Sequence, residues 1–161
     1  MSNRLSKAIS IVKKAPKCIQ PFLLTKLFSS KVKFAATTGI EIQSITTHQV
    51  EIVLRNRKKV QNHIGGIHAV AAAVLAESAT GIVFGMNVPD SRLPLLKSMK
   101  LEYQRRMQGS LRAVATLCEQ QRKLISQQEK GHVVIPVEIT DESGQQPIVC
   151  EMEWAWVNKH R

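Results

Sequence analysis

Two ionisable residues, His68 and Glu77, stand in the most apolar part of the chain, residues 67–79. Carboxylates are almost never fully buried without a partner, so Glu77 needs an explanation beyond packing. Burial raises the pKa of a carboxyl group, and a position near the negative C-terminal end of a helix acts in the same direction. A glutamate with a raised pKa is suited to act as a general base near neutral pH.

The residues around His68 favour a complementary site for negative charge. Gly65 and Gly66 let the backbone come close to a ligand, and we expect free N–H groups at the helix start that follows. These groups belong to Ile67, His68 and Ala69. With the positive end of the helix dipole behind them, they can hold a carbonyl oxygen as it gains negative charge.

The spacing of these residues has a geometric consequence. His68 and Glu77 are nine residues apart. At about 100° per residue they lie on opposite sides of one helix, about 13 Å apart along its axis, and cannot act on one bond within one chain. If they cooperate, Glu77 of one subunit faces the helix start of another, which predicts a two-fold dimer with two composite sites.

Each of the two residues also has a structural interpretation. A histidine near a helix start is often a capping or hydrogen-bonded residue. For Glu77 the alternative is an ion pair with Arg105 or Arg106, which would also perturb its pKa. The presence of both residues on one apolar helix favours function.

The segments around this helix show the period of β-strands. Alternating apolar residues at 40–45 and 50–54 predict a hairpin with its turn near residues 46–48. We expect the long helix over residues 66–80. Strand-like segments follow at residues 82–88, 95–106, 111–118, 133–139 and 148–156, with a turn at residues 142–144. The predicted fold is α+β, an antiparallel sheet wrapped around a long central helix.

Residues 1–35 form a predicted basic arm, separate from a domain at residues 36–161. The chain up to Ile40 has eight basic residues and no acidic one, within a net charge of +11. Helical spacing, interrupted by Pro16 and Pro21, predicts two short amphipathic helices. They either cap the domain with their lysines in water, lie against an anionic membrane or an acidic carrier protein, or form an organelle-targeting peptide.

The bulk composition disfavours several classes of protein. With 161 residues, 43% of them hydrophobic, the chain is the size of one domain. Cys18, Cys118 and Cys150 lack C-x-x-C spacing, and their odd number predicts reduced thiols in the cytoplasm. No apolar run reaches the roughly 20 residues of a membrane-spanning helix. Motifs for nucleotides or metals are absent, and a 4% aromatic content disfavours nucleic-acid binding by base stacking.

The spacing of Asn62, Gly65, His68 and Glu77 follows a known motif. The stretch resembles the hotdog-fold acyl-thioesterases, in particular the PaaI-like group and related uncharacterised hotdog domains, and the order of elements agrees over residues 38–157. The resemblance implies a hotdog fold with extra N-terminal helices. It also implies that Glu77 acts as general base on water or as nucleophile. In the family this carboxylate comes from the neighbouring subunit, which agrees with the helix geometry.

Further site residues are implied by the same resemblance. The oxyanion donor falls on the backbone N–H of Ala69, and Asn62 and His68 place the thioester or the water. The family often has His-Gly-Gly where this chain has Ala69 and Val70 after His68, so two Cβ atoms narrow the helix mouth and bear on substrate size. Some relatives orient water with a Ser or Thr on a following strand, and Ser98 is the equivalent expected here.

Coenzyme A carries phosphates, so a site for its thioesters should have basic groups at the rim. One basic cluster stands just before Asn62 and a second ends the strand expected to pass near the helix. They comprise Arg55, Arg57, Lys58 and Lys59, and Arg105 and Arg106. With Gly65 and Gly66, these are the predicted substrate-binding residues. The alternative is that the charges are simply solvated.

The leading functional hypothesis is hydrolysis of an acyl-CoA, or of an acyl-carrier-protein thioester, to a carboxylic acid and a free thiol. No cofactor is expected except coenzyme A as part of the substrate. The expected assembly is a homodimer, or a dimer of dimers that makes a homotetramer. The alternative is a non-catalytic hotdog module that binds acyl-CoA or a protein partner. A hotdog dehydratase ranks below hydrolysis, and nucleic-acid binding ranks lowest.

Overall fold

The structure is a computed structural model that describes residues 3–159. Three helices come first, α1 (Arg4–Val12), α2 (Gln20–Lys31) and α3 (Lys33–Thr38), followed by β1 (Glu41–Ile45) and β2 (Gln49–Leu54). A short 3-10 turn (Lys58–Val60) leads into the long helix α4 (Ala69–Gly85). The remaining elements are β3 (Arg92–Tyr103), β4 (Leu111–Thr116), α5 (Glu119–Gln127), β5 (Gly131–Ile135), β6 (Val137–Asp141) and β7 (Ile148–Asn158).

One antiparallel sheet holds all seven strands, in the order β1-β2-β4-β6-β7-β3, with β5 also paired to β7. Helix α4 packs on β2, β3, β4, β6 and β7. Ten of its 17 residues are buried, and they lie on several sides of the helix. A sheet that touches a helix through most of its strands must curve around it, so the predicted α+β architecture is confirmed.

The register of β2 and β4 shows how the sheet makes room for α4. Val50 pairs with Ala115 and Ile52 pairs with Ala113, and all four residues are buried. Residues directly opposite in an antiparallel pair share a face. Large side chains on β2 therefore stand opposite methyl groups on β4, and the small β4 residues let the helix approach the sheet closely.

The predicted bounds of α4 were wrong at both ends. The helix begins at Ala69 and not at Gly66, because residues 62–66 form a turn in which Gly66 O accepts from Asn62 N. It also continues to Gly85, so most of residues 82–88 is helical and not a strand-like segment. Ile82, Val83 and Phe84 are all buried, and an unbroken apolar run has the same pattern in a buried helix as in a buried strand.

Two further segments differ from the prediction. The strand expected over residues 133–139 is divided into β5 and β6 at Pro136, which has no N–H for the ladder. Helix α5 was not predicted. Its start is fixed by Gln121, whose Oε1 accepts from the N–H of Cys118, and its one buried residue is Ile125. The predicted hairpin is confirmed as β1 and β2, and the predicted turn lies between β6 and β7.

The two predicted helices of the arm are α1 and α2, which pack on the domain, and a third helix, α3, crosses the predicted boundary after residue 35. Ile9 and Leu24 are buried in the common core. Asn3 joins α1 to α4: its Oδ1 accepts from Ser6 N, while its Nδ2 donates to the carbonyls of Gly85 and Val88 at 2.6 Å. One side chain thus caps the start of α1 and satisfies carbonyls at the end of α4.

The lysines of α1 and α2 are exposed, as the capping interpretation requires. Contact of the arm with a membrane or a carrier protein, and its boundary after residue 35, stay predictions. Within residues 3–159, no helix has both the length and the apolar character needed to cross a bilayer. The three cysteines are free thiols, and burial raises the pKa of Cys150 to about 11.

Candidate active site

The start of α4 is built by Asn62. Its Oδ1 accepts hydrogen bonds from the N–H groups of Ile64 and Gly66, both at 3.1 Å. Gly65 has a φ of 76°, a left-handed conformation that glycine adopts without strain. A Cβ at this position would meet no atom within 4 Å. The acceptor side of Asn62 is therefore used in the turn. Its Nδ2 has no hydrogen-bond partner among residues 3–159 and can donate to a ligand.

His68 is the N-cap of α4. Its Nδ1 accepts from Val70 N at 3.1 Å, which leaves the ring proton on Nε2. The ring is exposed, so Nε2–H is available as a donor. The capping interpretation of His68 is thus correct as far as Nδ1 is concerned, and the other ring nitrogen is left for a ligand.

Of the three N–H groups expected to be free, that of His68 is not, because it donates to Val60 O at 2.7 Å. The N–H of Ala69 has no acceptor within the described part of the chain. Tyr103 contacts the next peptide group along the chain, since its hydroxyl donates to Ala69 O at 2.7 Å. Residue 69 is therefore held by a strand residue while its N–H stays available at the positive end of the helix.

Glu77 is half-buried and lines a cavity of about 500 Å³ between α4, α1 and α2. Burial raises the pKa of Glu77, and a hydrogen bond from Ser78 Oγ at 3.4 Å lowers it only in part. The ring of Trp154 stands beside it, over Gly81, and Trp154 Nε1 donates to Thr80 Oγ1 at 3.0 Å. A carboxylate whose pKa is raised is a stronger base, so it can take a proton from water near neutral pH.

Neither Arg105 nor Arg106 neutralises Glu77. Arg105 binds the buried Asp141 at 2.8 Å and also donates to Ser143. Arg106 donates to Ile64 O at 3.3 Å, over the turn before α4. The ion-pair alternative for Glu77 is therefore wrong, and only Arg106 of this predicted cluster is near the helix start.

The first basic cluster is also divided. Arg55 and Arg57 both bind Glu41, at 2.9 and 2.5 Å. Lys58 and Lys59 are exposed on the 3-10 turn and form no ion pair within residues 3–159. Within residues 3–159, these lysines and Arg106 are therefore the members of the two predicted clusters that have no carboxylate partner.

Ser98 lies on the far side of the sheet from α4. It is paired with Glu153, whereas the neighbouring β7 residues Met152 and Trp154 are buried against the core. Successive residues of a strand point to opposite faces. Within one chain Ser98 is thus separated from Glu77, and its role in orienting water stays a prediction.

One chain does not bring His68 and Glu77 together, as the helix geometry requires. Glu77 belongs to the face of α4 that meets α1 and α2, and His68 lies at the helix start beside Tyr103 and Arg106. Strand β3 is the last in the sheet, with an unpaired edge, and all but three of its 12 residues are exposed. Pro94 of this strand lines the cavity of Glu77, so the cavity wall reaches the exposed edge.

Comparison with known families identifies the chain. Residues 22–157 match the family described as a domain of unknown function, DUF4442. The chain belongs to this family. No curated protein matches it.

Solved structures similar to this DUF4442 chain share its fold. One is a Pseudomonas aeruginosa protein described as of unknown function and a probable thioesterase, with 23% identity, TM-score 0.75, and 86% of this chain and 96% of the other covered. A Haemophilus influenzae thioesterase has 17% identity, TM-score 0.68 and coverages of 86% and 90%. A thioesterase family protein from Silicibacter pomeroyi has 12% identity, TM-score 0.67 and coverages of 83% and 96%. The predicted hotdog fold is confirmed.

Two residues near the site of the DUF4442 chain were missed by sequence reasoning. Tyr103 was seen only as an alternating strand residue, and Trp154 only as part of the last strand. A signal for Trp154 exists in Gly81, since a Cβ there would lie 2.9 Å from the indole ring. A glycine inside an apolar helix indicates close approach by another element.

Proposed function

We propose that this DUF4442 protein is a thioesterase that hydrolyses an acyl-CoA, or an acyl-carrier-protein thioester, to a carboxylic acid and a free thiol. One observation carries the proposal: Glu77, with a raised pKa and no cationic partner among residues 3–159, lines an apolar cavity. A carboxylate in such a place is destabilising for the fold, and a role as general base accounts for it.

The chemistry requires one base and one oxyanion donor. Glu77 takes a proton from water, and the hydroxide oxygen bonds to the thioester carbon. The carbonyl oxygen gains the negative charge, which the N–H of Ala69 and the helix dipole stabilise. The tetrahedral intermediate then collapses, the C–S bond breaks, and the departing thiolate takes the proton from Glu77. Nε2–H of His68 and Nδ2 of Asn62 are donors that can position the thioester.

The helix start in this mechanism belongs to a second copy of the chain. The exposed edge strand β3 supports a two-fold contact, because its unpaired backbone groups can continue the sheet into a partner. Exposed apolar residues near the helix start favour the same contact: Val70 is 57% exposed, Met99 52% and Tyr103 44%. A dimer would cover this patch and complete two sites.

Coenzyme A would be bound through its phosphates by the free cations at the helix start. Lys58 and Lys59 are exposed there, and Arg106 lies over the turn at Ile64. Each can form charge-assisted hydrogen bonds with phosphate oxygens.

The decisive experiment replaces the base. Glu77→Gln should lower kcat for acyl-CoA hydrolysis by at least about a hundredfold, the usual contribution of a general base. Glu138→Gln, an exposed position on β6, is the matched control and should retain full activity. The rate of turnover is measured from the release of the free thiol. Equal rates for Glu77→Gln and the parent protein would refute hydrolysis by Glu77.

The same assay separates the alternative function, a non-catalytic module. Such a module would bind acyl-CoA saturably and release no thiol with any acyl chain. The raised pKa of Glu77 favours hydrolysis, because ligand binding alone gives no reason to keep an unpaired carboxyl group in an apolar wall.

A further inference from the structure

The cavity at Glu77 is walled by the N-terminal arm as much as by the hotdog domain. Helix α1 contributes Leu5, Ala8 and Ile9, which share one face of that helix, and α2 contributes Leu24, Leu27 and Phe28 in the same way. Opposite them lie residues of α4. Each helix therefore turns one stripe toward the cavity, at the spacing of i, i+3 and i+4.

Helix α4 lines the cavity with Ser78, Gly81, Ile82 and Gly85 beside Glu77. A Cβ at Gly81 would meet Trp154, which lines the same cavity, and a Cβ at Gly85 would meet Leu5. Protein interiors are packed as densely as organic crystals and contain few voids larger than a water molecule. About 500 Å³ of space with mostly apolar walls is therefore exceptional, and it lies in the volume range of ligand sites, about 300–1,000 Å³.

The arm is fixed in a position that keeps this space open. Asn3 ties the start of α1 to the end of α4 through Gly85 O and Val88 O. The backbone N–H of Arg4 donates to the carboxylate of Asp90 at 3.1 Å. Thr25 Oγ1 of α2 accepts from Ile42 N of β1 at 2.8 Å. Polar contacts outside the cavity thus hold both helices in place beside it.

We propose that this cavity takes a long aliphatic acyl chain, so that the arm forms the acyl-binding wall and sets the chain length that the enzyme accepts. The volume and the mostly apolar walls suit a long aliphatic chain. The polar lining groups, Glu77 and Ser78 with Arg4 and Lys31, are few among apolar residues. This inference rests on the proposed function, because it places the thioester carbon beside Glu77.

The first test alters the wall from the arm side. Ala8→Leu adds three carbons to the stripe of α1, and Phe28→Ala removes a ring from α2. Ala8→Leu should lower kcat/KM for hexadecanoyl-CoA by about tenfold or more and leave butanoyl-CoA within about twofold, because one methylene in an apolar pocket discriminates by that order. Phe28→Ala should move the optimum to longer chains.

The matched control is Phe22→Ala, on the same helix α2 but 62% exposed and outside the cavity. Its chain-length profile should equal that of the parent protein. A profile that stays unchanged in Ala8→Leu and Phe28→Ala, with hydrolysis intact, would overturn the arm as acyl wall and leave the thioesterase proposal standing.

The second test needs no turnover. The Glu77→Gln protein is titrated with hexadecanoate by calorimetry, and Ala8→Leu is combined with it. Saturable binding of one fatty acid per chain, weakened about tenfold by Ala8→Leu, would support the inference even if no thioester were hydrolysed. Absence of hexadecanoate binding to Glu77→Gln, or binding unaffected by Ala8→Leu, would contradict it.

Discussion

Glu77 has opposite effects on activity and on stability as the pH changes. Burial raises its pKa above the ordinary 4.5, so between 4.5 and the raised value the folded protein holds a proton that the unfolded chain has lost. The free energy of unfolding therefore falls as pH rises through this window and levels off above it. Arg4 and Lys31 also line the cavity.

Activity should follow the reverse course. The base works only when deprotonated, so kcat/KM should rise with pH through the raised pKa of Glu77, above the ordinary value of 4.5. Urea unfolding and acyl-CoA turnover are measured over the same pH series. Glu77→Gln should lack this part of the stability profile and be more stable than the parent near neutrality. A stability profile identical in both proteins would contradict the burial of a titrating Glu77.

The residue scale also shows where the sequence stops being informative. The register of Asn62, Gly65, His68 and Glu77 was recognised by its resemblance to a family motif, and the free N–H at Ala69 was expected from its place at a helix start. The acceptors were not. The N–H of His68 donates to Val60 O because the chain folds back before α4. The periodicity of the sequence does not predict such a contact.

At the scale of elements, Gly81 controls the contact of α4 with β7. Gly81→Ala would place a Cβ 2.9 Å from Trp154, on a ring held by its hydrogen bond to Thr80. We expect a loss of about 1–3 kcal/mol in the free energy of unfolding, because overpacking forces neighbours to move. Urea denaturation measures it.

Gly85→Ala is the control within the same helix. A Cβ there meets only the flexible end of Leu5, at 3.4 Å. The change should alter stability by less than about 1 kcal/mol, since alanine also has the better helix propensity. Equal losses in both variants would mean that helix backbone, and not the ring of Trp154, sets the requirement for glycine.

Arg105 and Arg106 are adjacent but serve different elements. Arg105 joins β3's end to Asp141 of β6, whose side chain is fully buried, while Arg106 is exposed. Arg105→Ala should lower the free energy of unfolding by about 2–3 kcal/mol, because it leaves a buried charge unpaired. Arg106→Ala should leave stability unchanged and raise KM for acyl-CoA. Thermal unfolding and steady-state kinetics of both variants check this division, and a reversed pattern would contradict it.

Elements with a clear period were predicted, and those defined by a single residue were not. The alternation of Val50, Ile52 and Leu54 identified β2 directly. The end of α4 was missed because its last residues are apolar on every side, which removes the contrast that marks a boundary. Pro136 divides one alternating run into two strands, a proline effect that the period alone conceals.

At the scale of the whole molecule, the arm and the edge strand have different roles: the arm closes the cavity, and the strand offers an edge for a second subunit. The arm closes the cavity within one chain through Ile9 and Leu24, which are buried. Strand β3 has an unpaired edge, and its Pro94 lines the same cavity. The acyl chain would therefore be enclosed by one subunit, while the thioester would lie where a second subunit supplies the helix start.

A composite site predicts complementation between two inactive proteins. One variant is Glu77→Gln. The other is His68→Ser, which removes Nε2–H but keeps a side-chain acceptor suited to the N-cap of α4. Each alone should be nearly inactive. In a mixed dimer, one site carries both changes, whereas the other combines the intact Glu77 of one chain with the intact helix start of its partner.

Unfolding and refolding an equal mixture should recover about a quarter of the parent activity, because about half of the dimers are mixed and each has one of two sites intact. Mixing without unfolding is the control and should recover less, in proportion to subunit exchange. Sites contained within single chains would give no recovery under either condition. Activity after refolding therefore reports directly whether Glu77 and His68 act across the subunit contact.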